Sequence, residues 1–269
     1  MTTAGAGAGA GAGAQAEADR VLGLADCAPD GTLRYGSHPD QVIDLWWPRG
    51  LDGEGSGLPF VVLVHGGFWR EAYDRRHISP LAAHLARRGH RVASVEYRRV
   101  GGAGGHSTTL EDVERALEAV RRTQAAQFRV VGHSAGGHLA LWAASRPDSG
   151  ITKVVALAPV ADLARADELG LGGGAVLDLF GGDLSDIALA DPVALLPTGV
   201  PTTLIHGRDD PDVPIELSER FVAAARSAGD EPRLIALEGT GHFAVVEPGS
   251  DACDILLREL REPQEPREP

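Results

Sequence analysis

The run Gly132-His133-Ser134-Ala135-Gly136-Gly137 centres a serine in a G-x-S-x-G pattern. A serine hydroxyl is a poor nucleophile at neutral pH, so it must be displayed on a sharp turn and served by a base. The flanks suit such a turn. Gln127 to Val131 reads as a strand and His138 to Ala144 as a helix. Gly132, Ala135 and Gly136 are small, as crowded backbone at a strand-to-helix turn requires. A serine held this way can attack a carbonyl carbon, with Ser134 as nucleophile.

The base must lie within hydrogen-bond reach of that hydroxyl, and a carboxylate must orient the base. Of the ten histidines, His242 alone stands late in the chain and directly past a strand-like stretch, in Gly239-Thr240-Gly241-His242-Phe243. The carboxylate is expected in His206-Gly207-Arg208-Asp209-Asp210-Pro211-Asp212-Val213-Pro214, which follows the strand Thr202 to Ile205. Asp210 is the choice, in mid-loop and a few residues ahead of Val213-Pro214. Asp209 and Asp212 compete with it, their alternative being turn and helix-start chemistry.

Acyl transfer also builds negative charge on the carbonyl oxygen, which preorganised backbone N–H groups can stabilise. His65-Gly66-Gly67-Phe68-Trp69 follows an apolar strand ending at Val64. The expected donors are Gly67 and Phe68 from this loop and Ala135, the residue after the nucleophile.

These pieces need a scaffold that gathers loops far apart in sequence. Apolar runs at Phe60–Val64, Arg91–Val95, Phe128–Val131, Lys153–Leu157, Thr202–Ile205 and Arg233–Leu237 read as strands, several of them buried on both faces. Gln41 to Trp47 alternates and reads as a first strand. Between them lie helical patterns: one from Ser79, expected as its cap, to Gly89; one after Thr109 with Val113, Leu117 and Val120 on one face; Ile215 to Ala228; and Asp251 to Leu260. The alternation predicts an α/β protein, a mostly parallel sheet with helices on both faces and ligand sites at the strands' C-terminal ends. Residues 1–30 read as a disordered Gly/Ala-rich tail, 31–262 as one domain and 263–269 as a second disordered tail. A Gly-rich turn is expected at Gly50–Pro59. The stretch 160–196 breaks the alternation and is expected to form a small lid. In it Ala175 to Phe180 would be a short apolar helix facing the site, flanked by glycine hinges at 172–174 and 181–182.

In order and content, the HGG-x-W loop, Gly-His-Ser-Ala-Gly-Gly, the His-Gly-x-x-Asp loop and the Gly-His-Phe loop resemble the α/β-hydrolase superfamily. The resemblance runs from about Gln41 to Leu260. His65–Trp69 and Glu96-Tyr97-Arg98 make the chain similar to the esterase/lipase and kynurenine-formamidase-like branch. Phe68 stands where the formamidase pattern usually has Tyr, and Arg99-Val100-Gly101 replaces its Leu-x-Pro. The resemblance implies the α/β-hydrolase fold and a serine hydrolase that cleaves a carboxylic ester through an acyl-enzyme, with Ser134, Asp210 and His242 as its triad. Arylformamidase or peptidase-like amide cleavage by the same machinery is the alternative, and a non-catalytic binding protein on the same fold is the third reading.

The 269 residues are 43% hydrophobic with a net charge of −13 and a pI near 5.2. Such acidity argues against nucleic acid or an anionic membrane surface as partner, and no apolar run is long enough to span a bilayer. A small-molecule ester or amide is the expected partner, with no oligomeric state implied. The N-terminus lacks a basic n-region and an apolar h-region, and Cys27 and Cys253 read as free thiols, so a cytoplasmic setting is expected. There is no G-K-[ST] and no H-E-x-x-H; neither cofactor nor metal is expected. Phe68, Trp69 and Tyr73 could line an acyl or aromatic pocket, with core packing an equal alternative. Glu96 and Arg98 are expected to pair with each other, and His133 and His138 to be hydrogen-bonded scaffold.

Overall fold

The structure, a computed structural model, describes residues 6–49 and 58–261. Most of the Gly50–Pro59 turn, and the tail at 263–269, lie outside the described residues. Among the described residues, eight strands form one sheet: β1 (Gly31–Arg34), β2 (Val42–Trp46), β3 (Val61–Val64), β4 (Val92–Val95), β5 (Phe128–His133), β6 (Ile151–Leu157), β7 (Thr202–Gly207) and β8 (Arg233–Leu237). Their spatial order is β1-β2-β4-β3-β5-β6-β7-β8. β1 pairs antiparallel with β2, and β2 antiparallel with β4; β3 to β8 run parallel to one another.

Eight helices accompany them among the described residues: α1 (Ala6–Leu22), α2 (Ser79–Arg87), α3 (His106–Thr123), α4 (Ala135–Ala144), α5 (Leu163–Glu168), α6 (Leu171–Leu179), α7 (Glu216–Ala228) and α8 (Asp251–Glu259). This is the α/β-hydrolase fold that the resemblance implied.

The continuous apolar strands are explained by a core on each face. In β3, Val62 and Val64 join the cluster that holds Val113 and Leu117 of α3 and Leu217 and Phe221 of α7. Val61 and Leu63 face the other way, into a cluster with Leu81 and Leu85 of α2 and Leu256 and Leu257 of α8. A period of two on a strand covered on both sides leaves no polar position. Parallel strands also leave their C-terminal ends on one edge of the sheet. The loops after β3, β5, β7 and β8 therefore emerge together, and they carry the four sequence motifs.

Several elements differ from expectation. The stretch assigned to a disordered tail contains α1, whose Val21 is 3% exposed in the same cluster as α2 and α8. Low-complexity Gly/Ala sequence carries little signal of its own, and a helix of this kind is held by docking rather than by propensity. β1 pairs with β2 from Gly31↔Leu45 to Arg34↔Val42; its four residues, alternately half-buried and exposed, are too few to show a period. Ser79 is not a side-chain cap. A 3-10 turn at Arg75–Ile78 precedes α2, and the Ser79 hydroxyl accepts from the Cys27 N–H at 3.0 Å instead. α3 starts at His106, ahead of Thr109, whose hydroxyl donates to Arg98 O. Glu96 and Arg98 do not pair. Arg98 forks onto Asp112 at 2.7 and 2.6 Å, while Glu96 is shared by His65, Arg75 and Arg99. Each side chain has found a partner on a different element, which no local spacing could announce. Among the described residues, no helix is long and apolar enough to cross a membrane.

Candidate active site

Ser134 joins β5 to α4 with φ 56° and ψ −119°. This backbone lies outside the ordinary regions for a residue with a Cβ, at a cost of about 1–3 kcal/mol that the surroundings must offset. They do so through the main chain. Ser134 N–H donates to Leu157 O at 2.9 Å, and Ser134 O accepts from His138 N and Val160 N, both at 3.1 Å. The neighbouring glycines are steric necessities. A Cβ on Gly132 would lie 2.1 Å from Gly136 O, and one on Gly136 would lie 2.2 Å from Val64 O.

His242 follows β8, and its Nδ1–H donates to Asp210 Oδ2 at 2.7 Å. Asp210 follows β7, and its Oδ1 accepts from the N–H groups of Asp212 and Val213 at 2.9 and 2.8 Å. Burial alone would raise the Asp210 carboxyl. The charge of His242 and hydrogen bonds from His206, His242 and Val213 outweigh it and hold the group well below the carboxylate range. For His242 the balance runs the other way: burial disfavours the cation, but the Asp210 charge and hydrogen bond raise it above the ordinary histidine value. Of the competing aspartates, Asp209 is exposed and Asp212 contributes only its N–H to Asp210. Asp210, Asp212 and His242 have donor atoms within 4.8 Å of one another, a spacing that could hold a cation. The Asp210–His242 bond and the two amides on Oδ1 already engage the Asp210 oxygens and the His242 Nδ1.

His206 escaped the sequence reading. Its Nε2–H donates to Val213 O at 2.8 Å and lies 3.3 Å from Asp210 Oδ2, while Nδ1 accepts from Ser218 Oγ at 2.7 Å. The only signal was its place at the start of the His-Gly-x-x-Asp loop. His133 and His138 are hydrogen-bonded scaffold, as expected. His133 Nε2–H donates to His242 O at 3.0 Å, and burial keeps the ring neutral.

The loop after β3 carries three consecutive residues with positive φ: Gly67 at 108°, Phe68 at 49° and Trp69 at 57°. A Cβ on Gly67 would strike Tyr73 Cβ at 2.4 Å. Among the described residues, the Gly67 and Phe68 N–H groups have no hydrogen-bond partner. Ala135 is the first residue of α4, so its N–H has none within the helix. Trp69 is fully buried core, its Nε1–H donating to His138 Nδ1 at 3.2 Å, whereas Phe68 and Tyr73 reach a pocket. Of the three aromatics, then, two are pocket wall and one is core.

The pocket, about 410 Å³, has Ser134, His242, His133, Gly67 and Phe68 on its walls. Nucleophile and base candidates thus face one cavity. Among the described residues no hydrogen bond joins Ser134 Oγ to the imidazole; such bonds are commonly loose before substrate arrives. The expected lid does not form this pocket's wall. Residues 160–196 pack against the loop after β3 and its surroundings, where Gly172 leaves room for the Phe68 ring, Arg70 reaches Asp178 at 2.8 Å and Phe180 stacks on His106 at 4.6 Å. Another part of the wall is supplied by Gln15, Ala18 and Leu22 of α1.

The model of the BD-FAE family matches residues 43–224, from β2 into α7. The probable isoprenylcysteine alpha-carbonyl methylesterase ICME of Oryza sativa subsp. japonica is 28% identical over 261 residues, covering 84% of this chain and 61% of that protein. The kynurenine formamidase of Drosophila melanogaster is 29% identical over 124 residues, 43% of this chain and 38% of its own length. The chain thus spans less than two thirds of either relative. Esterase B from Lactobacillus rhamnosis superposes with a TM-score of 0.75 at 20% identity, covering 94% of this chain and 92% of that one, a likeness of fold.

Proposed function

The chain belongs to the BD-FAE family, and from that premise we propose that it is a serine hydrolase that cleaves a small carboxylic ester through an acyl-enzyme. The observation that carries the reading is the 2.7 Å bond between His242 Nδ1 and Asp210, with His242 and Ser134 on the wall of one pocket. Asp210 fixes the tautomer, leaving Nε2 of the imidazole as the proton acceptor. The Ser134 hydroxyl gives its proton to Nε2 as Oγ attacks the carbonyl carbon. The N–H groups of Gly67, Phe68 and Ala135 stabilise the oxyanion, each worth roughly 3–4 kcal/mol in such sites. The imidazolium returns its proton to the leaving alcohol, and water then repeats the sequence to release the acid. The rice methylesterase supports an ester as substrate.

The Drosophila relative favours a second reading, in which the same groups hydrolyse an N-formyl aryl amide. Purified protein separates them. Turnover of p-nitrophenyl acetate and butyrate, labelling of Ser134 by a fluorophosphonate, and loss of both in Ser134→Ala are expected. Fast turnover of N-formylkynurenine with slow ester cleavage would move the assignment to the amide. Full ester hydrolysis by folded Ser134→Ala, or a wild type that neither labels nor turns over, would overturn it.

A further inference from the structure

Helix α1 is tied to the loop of the proposed base by a single carboxylate. Glu17 Oε1 accepts from the N–H groups of Phe243 and Ala244, both at 2.8 Å, and Oε2 accepts from Gly241 N–H at 3.1 Å. The three amides bracket His242, which lies between Gly241 and Phe243. Those of Phe243 and Ala244 stand at the N-cap and first residue of the 3-10 turn Ala244–Val246, so Glu17 caps that turn from a distant part of the chain. Room for the carboxylate depends on residue 241 being glycine, since a Cβ there would lie 2.8 Å from Glu17 Oε1. Two further contacts fix the helix: Arg20 forks onto Glu247 at 2.7 and 2.9 Å, and Val21 is buried. On the side facing the site, Ala18 and Leu22 line the same pocket as Ser134 and Phe68.

We propose that α1 is a working part of the active site: Glu17 is a positioning residue for His242, and Ala18 and Leu22 set the size of group that the pocket accepts. The specificity half rests on the hydrolase reading above; the clamp does not. Charge-assisted bonds from a carboxylate to backbone amides are stronger than neutral ones. Three of them converge on a loop that otherwise holds its histidine through Asp210 and His133. A loop freed from Glu17 lets the imidazole drift, and a misplacement of an ångström in such a site costs rate rather than binding. The side chains of Ala18 and Leu22 give the pocket a small, apolar wall, fitted to a short acyl or alkyl group.

The test uses the full-length chain. Amide hydrogen exchange over residues 238–246 should show protection in the wild type that is lost in Glu17→Ala and largely kept in Glu17→Gln, which retains one acceptor oxygen. On p-nitrophenyl butyrate, Glu17→Ala should lower kcat about 10–100-fold with little change in KM, and Glu17→Gln should recover most of it. Ala18→Trp should cut the octanoate-to-acetate ratio of kcat/KM by about tenfold or more. Unchanged exchange in a folded Glu17→Ala would overturn the clamp even in an active esterase. Lost protection in a chain that hydrolyses no ester would keep the clamp and remove the hydrolase reading. An unchanged chain-length ratio in an active Ala18→Trp would overturn the specificity role.

Discussion

His206 Nε2 stands 3.3 Å from Asp210 Oδ2, the oxygen that also receives His242 Nδ1–H at 2.7 Å. One carboxylate oxygen therefore faces two imidazoles, and the other takes two backbone amides. This buried carboxylate is fixed from four directions before any substrate is bound. It has no freedom to follow a moving histidine, so the histidine must come to it.

The pH dependence of turnover follows from this arrangement. As the proposed base, His242 must be neutral to act, and Asp210 raises its affinity for the proton. Activity should thus rise with pH through a pKa above the ordinary histidine value of about 6.5. In Asp210→Asn the largest raising influence is gone, while the smaller ones of Asp212 and Glu17 remain, and that limb moves to lower pH. The same change disturbs the tautomer, and kcat should fall by about 10⁴. Profiles of kcat/KM on a p-nitrophenyl ester between about pH 5 and 9, which bracket the titration of a shifted histidine, check both statements. A limb that stays in place in the variant would mean that another group is the base.

The turn between β5 and α4 makes a prediction about stability. A Cβ on Gly136 would lie 2.2 Å from Val64 O and 2.3 Å from His65 O, both backbone atoms that cannot swing aside. Gly136→Ala must therefore push α4 away from the end of β3. The expected cost is about 1–3 kcal/mol, with a large loss of kcat because the Ala135 N–H and the Gly67–Phe68 loop move apart. Urea unfolding of the variant measures the first effect, and ester turnover at low denaturant measures the second.

Much of this site is legible in the sequence. Ser134 and His242 stand in short motifs with strong local constraints: small residues where backbone crowds, and a strand end close before. Asp210 needs more, because three aspartates share one loop and only the fold shows that Asp209 is exposed. What escapes is whatever depends on contacts between distant segments. Nothing in the alternation of Gly and Ala that runs up to Ala14 marks a helix that docks, and Glu17 meets Gly241 only through the tertiary structure. The pairing of Glu96 likewise depends on where His65, Arg75 and Arg99 arrive. The lid expectation fails for a related reason: a break in strand-helix alternation marks an insertion but not the direction in which it packs.

A buried charge cluster away from the site separates stability from catalysis. Lys153, the only lysine of the chain, reaches Glu259 Oε2 from β6 at 2.8 Å. Thr203 of β7 donates to the same oxygen at 2.8 Å, and Arg233 of β8 reaches Oε1 at 2.8 Å. Burial would raise the Glu259 carboxyl, but the hydrogen bonds from Lys153 and Thr203 and the nearby cations lower it. A carboxylate with a depressed pKa stabilises the fold above its unfolded value, and that share is lost as pH falls through its folded value. Glu259→Ala removes the group that three strands share, at a cost of order 3–5 kcal/mol. Thermal unfolding at about pH 7 should show a lowered midpoint, and the difference from wild type should shrink as pH falls below the ordinary glutamate range and through the depressed folded value. Ester turnover per folded molecule should stay near the wild-type level.

Trp69 and His138 couple the loop after β3 to α4. Trp69 Nε1–H donates to His138 Nδ1 at 3.2 Å, and the rings meet edge to face at 5.2 Å. Accepting on Nδ1 fixes the tautomer, so His138 Nε2–H donates to Ala190 O at 2.9 Å in the segment behind the loop. Burial pushes the His138 pKa down to about 4, and the ring stays neutral through the working range. Trp69→Phe keeps the aromatic packing but removes the donor. A buried nitrogen then loses its partner; should the ring switch tautomer, Ala190 O loses its donor instead. Either way the fold should lose about 1–3 kcal/mol. Because Trp69 directly follows Phe68, the loss should reach the proposed oxyanion donors as well, lowering kcat more than it raises KM. Denaturant unfolding and steady-state kinetics of the same preparation test the two halves together; a variant with weakened stability and an untouched kcat would show that the loop holds its geometry without this bond.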